Sequence, residues 1–571
     1  SYSYSLMTGR LSETENAHGK KTYFAYNSRG QLTNKWGETV YPIEQIYDEY
    51  GRMIALKTFR AGTGWTDSSW PADTGTADTT TWAYQESTGL LTAKTYADGN
   101  SVDYTYTQEG KLATRTWARQ VGGNDIVTTY SYDPNTGEQT SIDYSDTTPD
   151  ISYTYNRLGQ QKTVTDAVGT RTFNYDNNFQ LTSEAITGII NKTISRNYSS
   201  TGFKGRYTGM NIASEYDVDY NYDTYGRLSS LRHPGANGEN IYTYNYLPNS
   251  NLVASIDYPN TISVTSSYEA NRDLITSVEN KYGATTVSKY DYNNDALGRR
   301  TSMGKSGSAF SASDTINYTY NDRSEVIGAD AVTDANYNFG FDYDTIGNRE
   351  SYSTDESGST VTSTYTANNL NQYTNITNPT QSPTYDDDGN MLTMTLASGS
   401  WTNTFNAENR IIAQEKSDAR LEYIYDYMGR RTQKQVYSGS TGNWTLDTDL
   451  KFVYDNYKLT EVLDGQDGDS VKQKIVWNGE TPFSIYDANL DKTYYYVLDA
   501  NKNVTELIDE NGNIVAHYEY SPFGKIIAQS GSYADENPIR FSSEYYDKET
   551  GLVYYAYRYY SPELGRWTKR D

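Results

Sequence analysis

Tyrosine recurs at every second position in many short stretches of the chain. Examples are VDYTYT at 102–107, ISYTYN at 151–156 and IYTYNY at 241–246. Alternation with a period of two places these side chains on one face of a β-strand. A turn containing glycine follows the first two of these stretches, and no long pattern with the 3.6-residue period of a helix appears. The pattern predicts an all-β chain of short strands.

The turn glycines are regularly spaced. Gly30 and Gly51 are 21 residues apart, as are Gly89 and Gly110. This spacing accommodates two strands and two turns, so we interpret the repeating unit as a β-hairpin. Because repeat units pack mainly on their neighbours, the 571 residues need not divide into several separate domains. We predict loops where the repeat is lost, at Gly62–Thr81, Thr187–Tyr216 and Asp464–Glu480.

A six-residue motif marks many of the turns: Tyr, Asp or Asn, two variable residues, Gly, then Arg or Asn. It occurs as YDEYGR at 47–52, YDTYGR at 222–227, YDTIGN at 343–348, YDDDGN at 385–390 and YDYMGR at 425–430. The Asp side chain can accept bonds from backbone N–H groups two residues on, and the Gly supplies a positive φ. The Arg can pair with a carboxylate or lie on a Tyr ring. The motif therefore indicates turn structure and not substrate chemistry.

The amino-acid composition excludes several classes of function for this chain. The chain has 59 Tyr, only 13 Phe, and a hydrophobic fraction of 36%, which favours semi-polar sheet faces over a thick apolar core. It has no Cys, so disulfides and thiolate chemistry are excluded. A net charge of −25 argues against binding nucleic acid or anionic membranes. No apolar run approaches the roughly 20 residues of a membrane helix.

The motif series and the closing segment, EYYDKETGLVYYAYRYYSPELGRWTKRD at 544–571, resemble the YD-repeat or Rhs-repeat family with its C-terminal Rhs-associated core. The resemblance extends to the Tc toxin C-component and to wall-associated Rhs proteins. It implies a spiral of β-hairpins that winds into a large hollow shell, with the core curling inward as a plug. We expect a repeat shell over 1–489 and the core over 490–571.

The resemblance also implies a function. Relatives enclose a toxic C-terminal cargo and release it by self-cleavage, as an intramolecular aspartic protease, downstream of the core. The matching residues here are Arg558 and Asp571, and the family's second Asp would lie beyond Asp571. Two carboxyls with separated pKa values can activate water and protonate the leaving amide.

The resemblance bears on location and completeness as well. It implies a bacterial protein that is secreted or at the cell surface and that works with delivery components attached through N-terminal regions. Because the opening SYSYSLMTGRL resembles the middle of a repeat, we expect the shell to be incomplete at its start. We likewise expect the core to stop before the cleavage site, which leaves a container without cargo.

Metal and cofactor sites have little support in the sequence. His18, His233 and His517 are far apart, and zinc would need ligands in close groups. Asp499, Asn501 and Asn503, with Glu510 further on, superficially resemble a calcium loop, but its required Gly is Val504. We therefore expect no cofactor and interpret this segment as strand–turn–strand.

Two other functions stay open at this stage. Exposed aromatic side chains such as Trp65 and Trp82 could stack on sugars, which would make the chain an adhesive or glycan-binding surface protein. Plentiful acids also allow a hydrolase that acts in trans, although no pair stands out by spacing outside the terminal segment.

Overall fold

A computed structural model describes residues 1–235, 238–356 and 358–570 of the chain. Almost all of it is antiparallel β-structure, and within each sheet every strand pairs with the next along the sequence. Short 3-10 helices lie at Pro259–Thr261, Ala335–Tyr337 and Phe541–Ser543. No helix within the described ranges is long and apolar enough to cross a membrane.

The strands form sheets of 33, 14 and 4 members in the described residues. The first sheet contains β1 (Tyr2–Tyr4), β2 (Leu11–Glu15), β3 (Lys21–Tyr26), β4 (Leu32–Gly37), β5 (Ile43–Tyr47), β6 (Met53–Phe59), β7 (Ala77–Tyr84), β8 (Leu91–Thr95), β9 (Ser101–Tyr106), β10 (Leu112–Val121), β11 (Asn124–Tyr132), β12 (Gln139–Tyr144), β13 (Ile151–Tyr155), β14 (Gln161–Asp166), β15 (Gly169–Tyr175), β16 (Leu181–Gly188), β17 (Lys192–Tyr198), β18 (Tyr207–Ile212), β19 (Tyr216–Tyr222), β20 (Leu228–Gly235), β21 (Gly238–Tyr246), β22 (Val253–Asp257), β23 (Ile262–Tyr268), β24 (Ile275–Tyr282), β25 (Thr285–Asn294), β26 (Arg300–Ser306), β27 (Asp314–Tyr320), β28 (Val326–Ala331), β29 (Phe339–Tyr343), β30 (Arg349–Glu356), β31 (Ser359–Ala367), β32 (Tyr373–Thr377) and β33 (Thr380–Gln381).

The remaining strands belong to the two smaller sheets. The second sheet contains β34 (Thr384–Tyr385), β35 (Met391–Leu396), β36 (Gly399–Phe405), β37 (Ile411–Lys416), β38 (Ala419–Tyr425), β39 (Arg431–Ser440), β40 (Asn443–Asp455), β41 (Lys458–Asp464), β42 (Ser470–Asn478), β43 (Thr481–Asp487), β44 (Lys492–Leu498), β45 (Val504–Ile508), β46 (Ile514–Tyr520) and β47 (Ile526–Ser530). The third contains β48 (Tyr545–Asp547), β49 (Leu552–Tyr555), β50 (Arg558–Ser561) and β51 (Arg566–Trp567).

Contacts between distant parts of the chain show that this ribbon winds into a spiral. Trp117 Nε1 donates to the Ala407 carbonyl at 2.7 Å across 290 residues. Further on, Asn280 Nδ2 donates to the Leu498 carbonyl at 3.2 Å across only 218 residues. The number of residues in one full winding of the spiral therefore decreases towards the C-terminal end. We call β1–β25 the first winding and β26–β47 the second winding.

The structure confirms the predicted fold class, an all-β spiral of hairpins in a shell. Winding also protects the sheet, because each turn covers backbone and side chains that an open ribbon would expose. The third sheet packs on the second winding: Leu552 and Tyr554 lie in one buried cluster with Trp401 and Leu421.

The six-residue motif folds as predicted. Asp48 Oδ1 accepts bonds from the backbone N–H groups of Tyr50 and Arg52, both at 2.9 Å, and Gly51 has a φ of 87°. Arg52 Nε donates to Asp48 Oδ2 at 2.6 Å, and its guanidinium lies 4.7 Å from the ring centre of Tyr84 in the next repeat. The same Asp-centred turn forms at Asp223, Asp295, Asp344, Asp386 and Asp426.

The tyrosine hydroxyls connect successive repeats. Tyr84 donates to the Met53 carbonyl at 2.9 Å, and Tyr246 donates to the Leu228 carbonyl at 2.7 Å. Each acceptor follows the turn of the preceding repeat by one residue. A carbonyl that would otherwise lack a partner is satisfied in this way, which explains why Tyr is so much commoner than Phe.

Two of the three predicted loops are wrong. The segment Thr187–Tyr216 contains β17 and β18, and Asp464–Glu480 contains β42. In Thr187–Tyr216 the pattern of alternating Tyr is lost because Ile stands in place of Tyr. Ile190, Ile194 and Ile212 are fully buried there and belong to the largest core cluster. In Gly62–Thr81, residues 62–76 form a loop and β7 begins at Ala77.

The sheet continues across the expected domain boundary at residue 490. Ser484 of β43 pairs with Tyr495 of β44 within the second sheet. The division into 1–489 and 490–571 stays a prediction.

The indoles proposed as sugar platforms are half-buried. Trp65 packs against Phe59 and Trp70 with ring centres 5.3 Å away in both cases, and its Nε1 donates to the Ala61 carbonyl at 3.2 Å. Trp82 is also half-buried on β7. The description of these residues as exposed is therefore wrong, because local aromatic packing covers Trp65.

The calcium-like segment is a turn of the repeat type. Asp499 Oδ1 accepts from the backbone N–H groups of Asn501 and Asn503, and its Oδ2 accepts from Asn503 Nδ2 at 2.9 Å. Both carboxylate oxygens are thus used within the turn, and the strand–turn–strand interpretation is confirmed.

Candidate functional site

The third sheet borders a cleft of about 500 Å³ between itself and the second winding. Arg558, the predicted catalytic arginine, lines this cleft at the start of β50, and its guanidinium carbon lies 4.1 Å from the Trp567 ring centre. Asp571 lies outside the described residues. The other lining side chains are mostly aromatic or cationic: Tyr454, Tyr457, Lys458, Trp477, Tyr545, Tyr554, Tyr555, Tyr557, Lys569 and Arg570.

Tight turns hold the third sheet in shape. Gly551, with a φ of 81°, closes the turn after β48, and its N–H donates to the Asp547 carbonyl at 2.7 Å. Gly565, with a φ of 64°, does the same for the Ser561 carbonyl at 2.8 Å. Both glycines supply the positive φ that a tight turn requires.

A buried ion cluster fixes the third sheet to β39. Asp547 is fully buried and accepts from Arg431 Nη1 at 2.6 Å and from Lys434 Nζ at 2.7 Å. Lys434 also donates to Glu549 at 2.6 Å. Burial alone would raise the pKa of the Asp547 carboxyl, but attraction to Arg431 and Lys434 lowers it.

Aromatic rings complete the surroundings of Arg431. Its guanidinium carbon lies 4.5 Å from the ring centre of Tyr554, 4.7 Å from Tyr545 and 5.3 Å from Phe452. Removing Asp547 would leave the buried Arg431 without its ion-pair partner, so the cluster helps to stabilise the attachment of the third sheet.

Glu544 and Lys569, which line the cleft, have perturbed pKa values. Burial raises the pKa of Glu544 to about 7, against the opposing attraction of Lys458. Burial is the main cause that lowers the pKa of Lys569 to about 8, and repulsion from Arg410 is a smaller one. A carboxyl with a pKa near neutral, in the cleft that Arg558 also lines, suits acid–base work.

Sequence reasoning identified Arg558 but missed Glu544 and Lys569. Both lie in the closing segment, yet nothing in their spacing shows that they are buried in a cleft. Arg570 was missed too: it precedes Asp571, and its Nη1 and Nη2 are buried and have no hydrogen-bond partner among the described residues.

Several proteins are similar to this chain. The tRNA nuclease WapA of Bacillus subtilis (strain 168) is 29% identical over 236 residues, covering 40% of this chain and 9% of that protein. Toxin subunit YenC1 of Yersinia entomophaga is 27% identical over 171 residues, covering 28% of this chain and 17% of its own length. The chain thus matches only a small part of these relatives.

A solved structure shares the fold over all of the chain. The crystal structure of TcdB2-TccC3 aligns with 100% of this chain and 33% of its own, with a TM-score of 0.74 and 16% identity. A family model of the Teneurin YD-shell matches residues 254–571, which is more than half of the sequence. The chain therefore belongs to the Teneurin YD-shell family.

Proposed function

We propose that the chain is the shell of a bacterial toxin and encloses a toxic polypeptide that continues from its C-terminal end. The observation that carries this proposal is the spiral sheet whose last segment is locked onto its own second winding by the buried Asp547 cluster. Arg570 lies against Tyr96 of the first winding, so a polypeptide that continues from this segment would begin where it meets both windings. The names of WapA and YenC1, a nuclease and a toxin subunit, agree with this role.

The proposal extends to how the cargo is released and how the protein is exported. Arg558 and Asp571, with a second Asp further along the chain, would form an intramolecular aspartic protease, and residues 490–571 would act as its core. Arg570 is a second candidate guanidinium beside Asp571. Secretion, and delivery components joined through N-terminal regions, complete the proposed function.

Protection from proteolysis tests the enclosure. A flexible segment with cleavage sites for a specific protease is fused after residue 571 in one variant and before Ser1 in a control. Tyr2 is 72% exposed, so the control segment starts at the surface. We expect the C-terminal segment to resist digestion while the N-terminal one is cut. Equal digestion of the two fused segments would contradict the proposal that the shell encloses the C-terminal polypeptide.

Intact mass tests the release. A gene product that continues past residue 571 is compared with its Asp571→Asn, Arg558→Gln and Arg570→Gln variants, with Glu44→Gln, at a half-exposed ion pair of the first winding, as a control outside the proposed protease. Cleavage in the parent and control but not in Asp571→Asn supports the protease. No cleavage in any chain leaves Arg558 as a packing residue on Trp567 and favours an adhesive or scaffold role.

A further inference from the structure

A second pocket, of about 350 Å³, lies where the C-terminal segment meets both windings. Its walls come from Leu56–Ala97 in the first winding, Asn369–Gly389 in the second, and Arg566–Arg570 at the end of the chain. It is separate from the aromatic cleft, although Trp567, Lys569 and Arg570 border both.

Two guanidinium groups line this pocket with donors to spare. Arg566 Nη2 donates to the Asn371 carbonyl at 2.6 Å, and the guanidinium carbon lies 4.2 Å from the Tyr373 ring centre. Its Nε and Nη1 are buried and have no partner among the described residues. Arg570 lies 4.2 Å from the Tyr96 ring centre, and both of its Nη atoms are likewise buried and unpaired in that part of the chain.

Neutral groups add further unused polar atoms. Gln372 is 5% exposed, and its Oε1 accepts from Asn368 Nδ2 at 2.8 Å, which leaves Nε2 as a buried donor with no partner in the described ranges. The Tyr385 hydroxyl is also buried there without a hydrogen-bond partner. A buried donor without an acceptor has lost its hydrogen bonds to water without compensation, so several along one small pocket need an explanation.

The acid nearby does not supply the missing acceptor. Asp78 lines the pocket, but its Oδ2 already accepts from Arg60 Nε at 2.9 Å and Nη2 at 2.7 Å. The amide oxygen of Asn371 likewise accepts from Arg60 at 3.0 Å. The pocket therefore has an excess of donors and positive charge in a protein whose net charge is −25.

We propose that this pocket binds a small oxyanion, with Arg566 and Gln372 as its principal ligands and Arg570 and Tyr385 beside them. Guanidinium groups present paired N–H donors that match the oxygens of a carboxylate or a phosphate. An anion bound here joins the first winding, the second winding and the C-terminal segment. It therefore stabilises the attachment of that segment independently of any cleavage downstream of Asp571.

Binding of inorganic phosphate to the 571-residue chain tests the site. Calorimetry and thermal unfolding are measured in sodium phosphate and in sodium chloride of equal ionic strength, with sodium acetate as the carboxylate probe. We expect phosphate, acetate or both to bind and to raise the unfolding temperature above that in chloride. The anion that binds more tightly identifies the preferred oxygen geometry.

Variants locate the binding. Arg566→Gln and Gln372→Leu each remove a ligand, and we expect the affinity to fall by about tenfold or more for the arginine and less for the glutamine. Arg272→Gln, at a surface ion pair with Glu269, is the matched control and should bind like the parent. If Arg566→Gln fails to fold, Gln372→Leu still tests the site.

Three results overturn the proposal. They are no binding of either anion, equal binding in the parent and in the folded ligand variants, and binding that appears only after Asp571→Asn. The last result would mean that the chain's own carboxylate fills the pocket.

Discussion

The same turn has different surroundings in the two windings. In YDEYGR of the first winding, the side chains of Asp48 and Arg52 are 16% and 24% exposed. In YDYMGR of the second, Asp426 and Arg430 are 0% and 2% exposed, with the same ion pair at 2.7 Å. Asp426 also accepts from Arg171 of the first winding at 3.0 Å. The motif determines the conformation of the turn. The layer that covers the turn determines how much its ion pair contributes to the free energy of unfolding.

Whole strands show the same contrast. Every residue of β5 is half-buried, whereas every residue of β45 is buried. The second winding is covered by the first winding and by the third sheet, so its polar groups must be paired within the protein. Variants placed at equivalent positions in the two windings measure what this covering contributes.

The largest expected difference is between Asp426→Ala and Asp48→Ala. Losing Asp426 leaves Arg171 and Arg430 in a dry environment, which we expect to lower the free energy of unfolding by about 3–5 kcal/mol. Losing Asp48 should cost clearly less, since water can solvate Arg52. Denaturant unfolding of both variants measures the gap. Equal losses would show that covering adds nothing to the turn.

A pH-dependent difference is expected at Glu461 in the second winding. Its carboxylate is fully buried, has no hydrogen-bond partner among the described residues, and lies 3.8 Å from Lys192 Nζ. Burial is the main cause that raises its pKa from 4.5 to about 7, and repulsion from Glu215 acts in the same direction. Attraction to Lys192 and, less strongly, to Lys474 opposes this shift. Because the folded pKa is the higher one, stability present below pH 4.5 is lost as the pH rises through 7.

Glu461→Gln should therefore stabilise the protein above pH 7, by an amount on the order of 2–3 kcal/mol, and have little effect near pH 4. The control is Glu44→Gln in the first winding, whose carboxylate pairs with Lys57 at 3.0 Å and is 32% exposed. Unfolding temperatures across pH 4–9 measure both variants. A Glu461→Gln effect that does not grow with pH would contradict this account.

The smallest expected difference concerns the tyrosine hydroxyls. Tyr454 donates to the Arg431 carbonyl and Tyr106 donates to the Leu91 carbonyl, both at 2.8 Å. Tyr454 is buried at 9% exposure and Tyr106 is half-buried. We expect Tyr454→Phe to cost about 1–2 kcal/mol and Tyr106→Phe less than about 1 kcal/mol, because water can reach the freed carbonyl only in the second case. Urea midpoints of the two variants provide the comparison.

The candidate site was only partly predictable. The closing segment pointed to Arg558, and the structure places that residue in a cleft. Glu544, Lys569 and the Arg566–Gln372 pocket were missed because burial, not residue type or spacing, gives these groups their properties. The failed loop predictions have a related cause: buried Ile194 in β17 and Ile212 in β18 form strands without the alternation expected of a half-exposed sheet.

The sequence by itself determined the hairpin unit, the Asp–Gly–Arg turn and the membership of a shell family, since each depends on residues close together along the chain. Only the tertiary structure decided which repeats meet. Pairs such as Trp117 with Ala407 and Arg171 with Asp426 are 290 and 255 residues apart. Their meeting depends on strand twist and register accumulated over many hairpins. No short stretch of sequence shows this accumulated twist and register. For the same reason, no short stretch shows which carboxylates and guanidinium groups the winding buries.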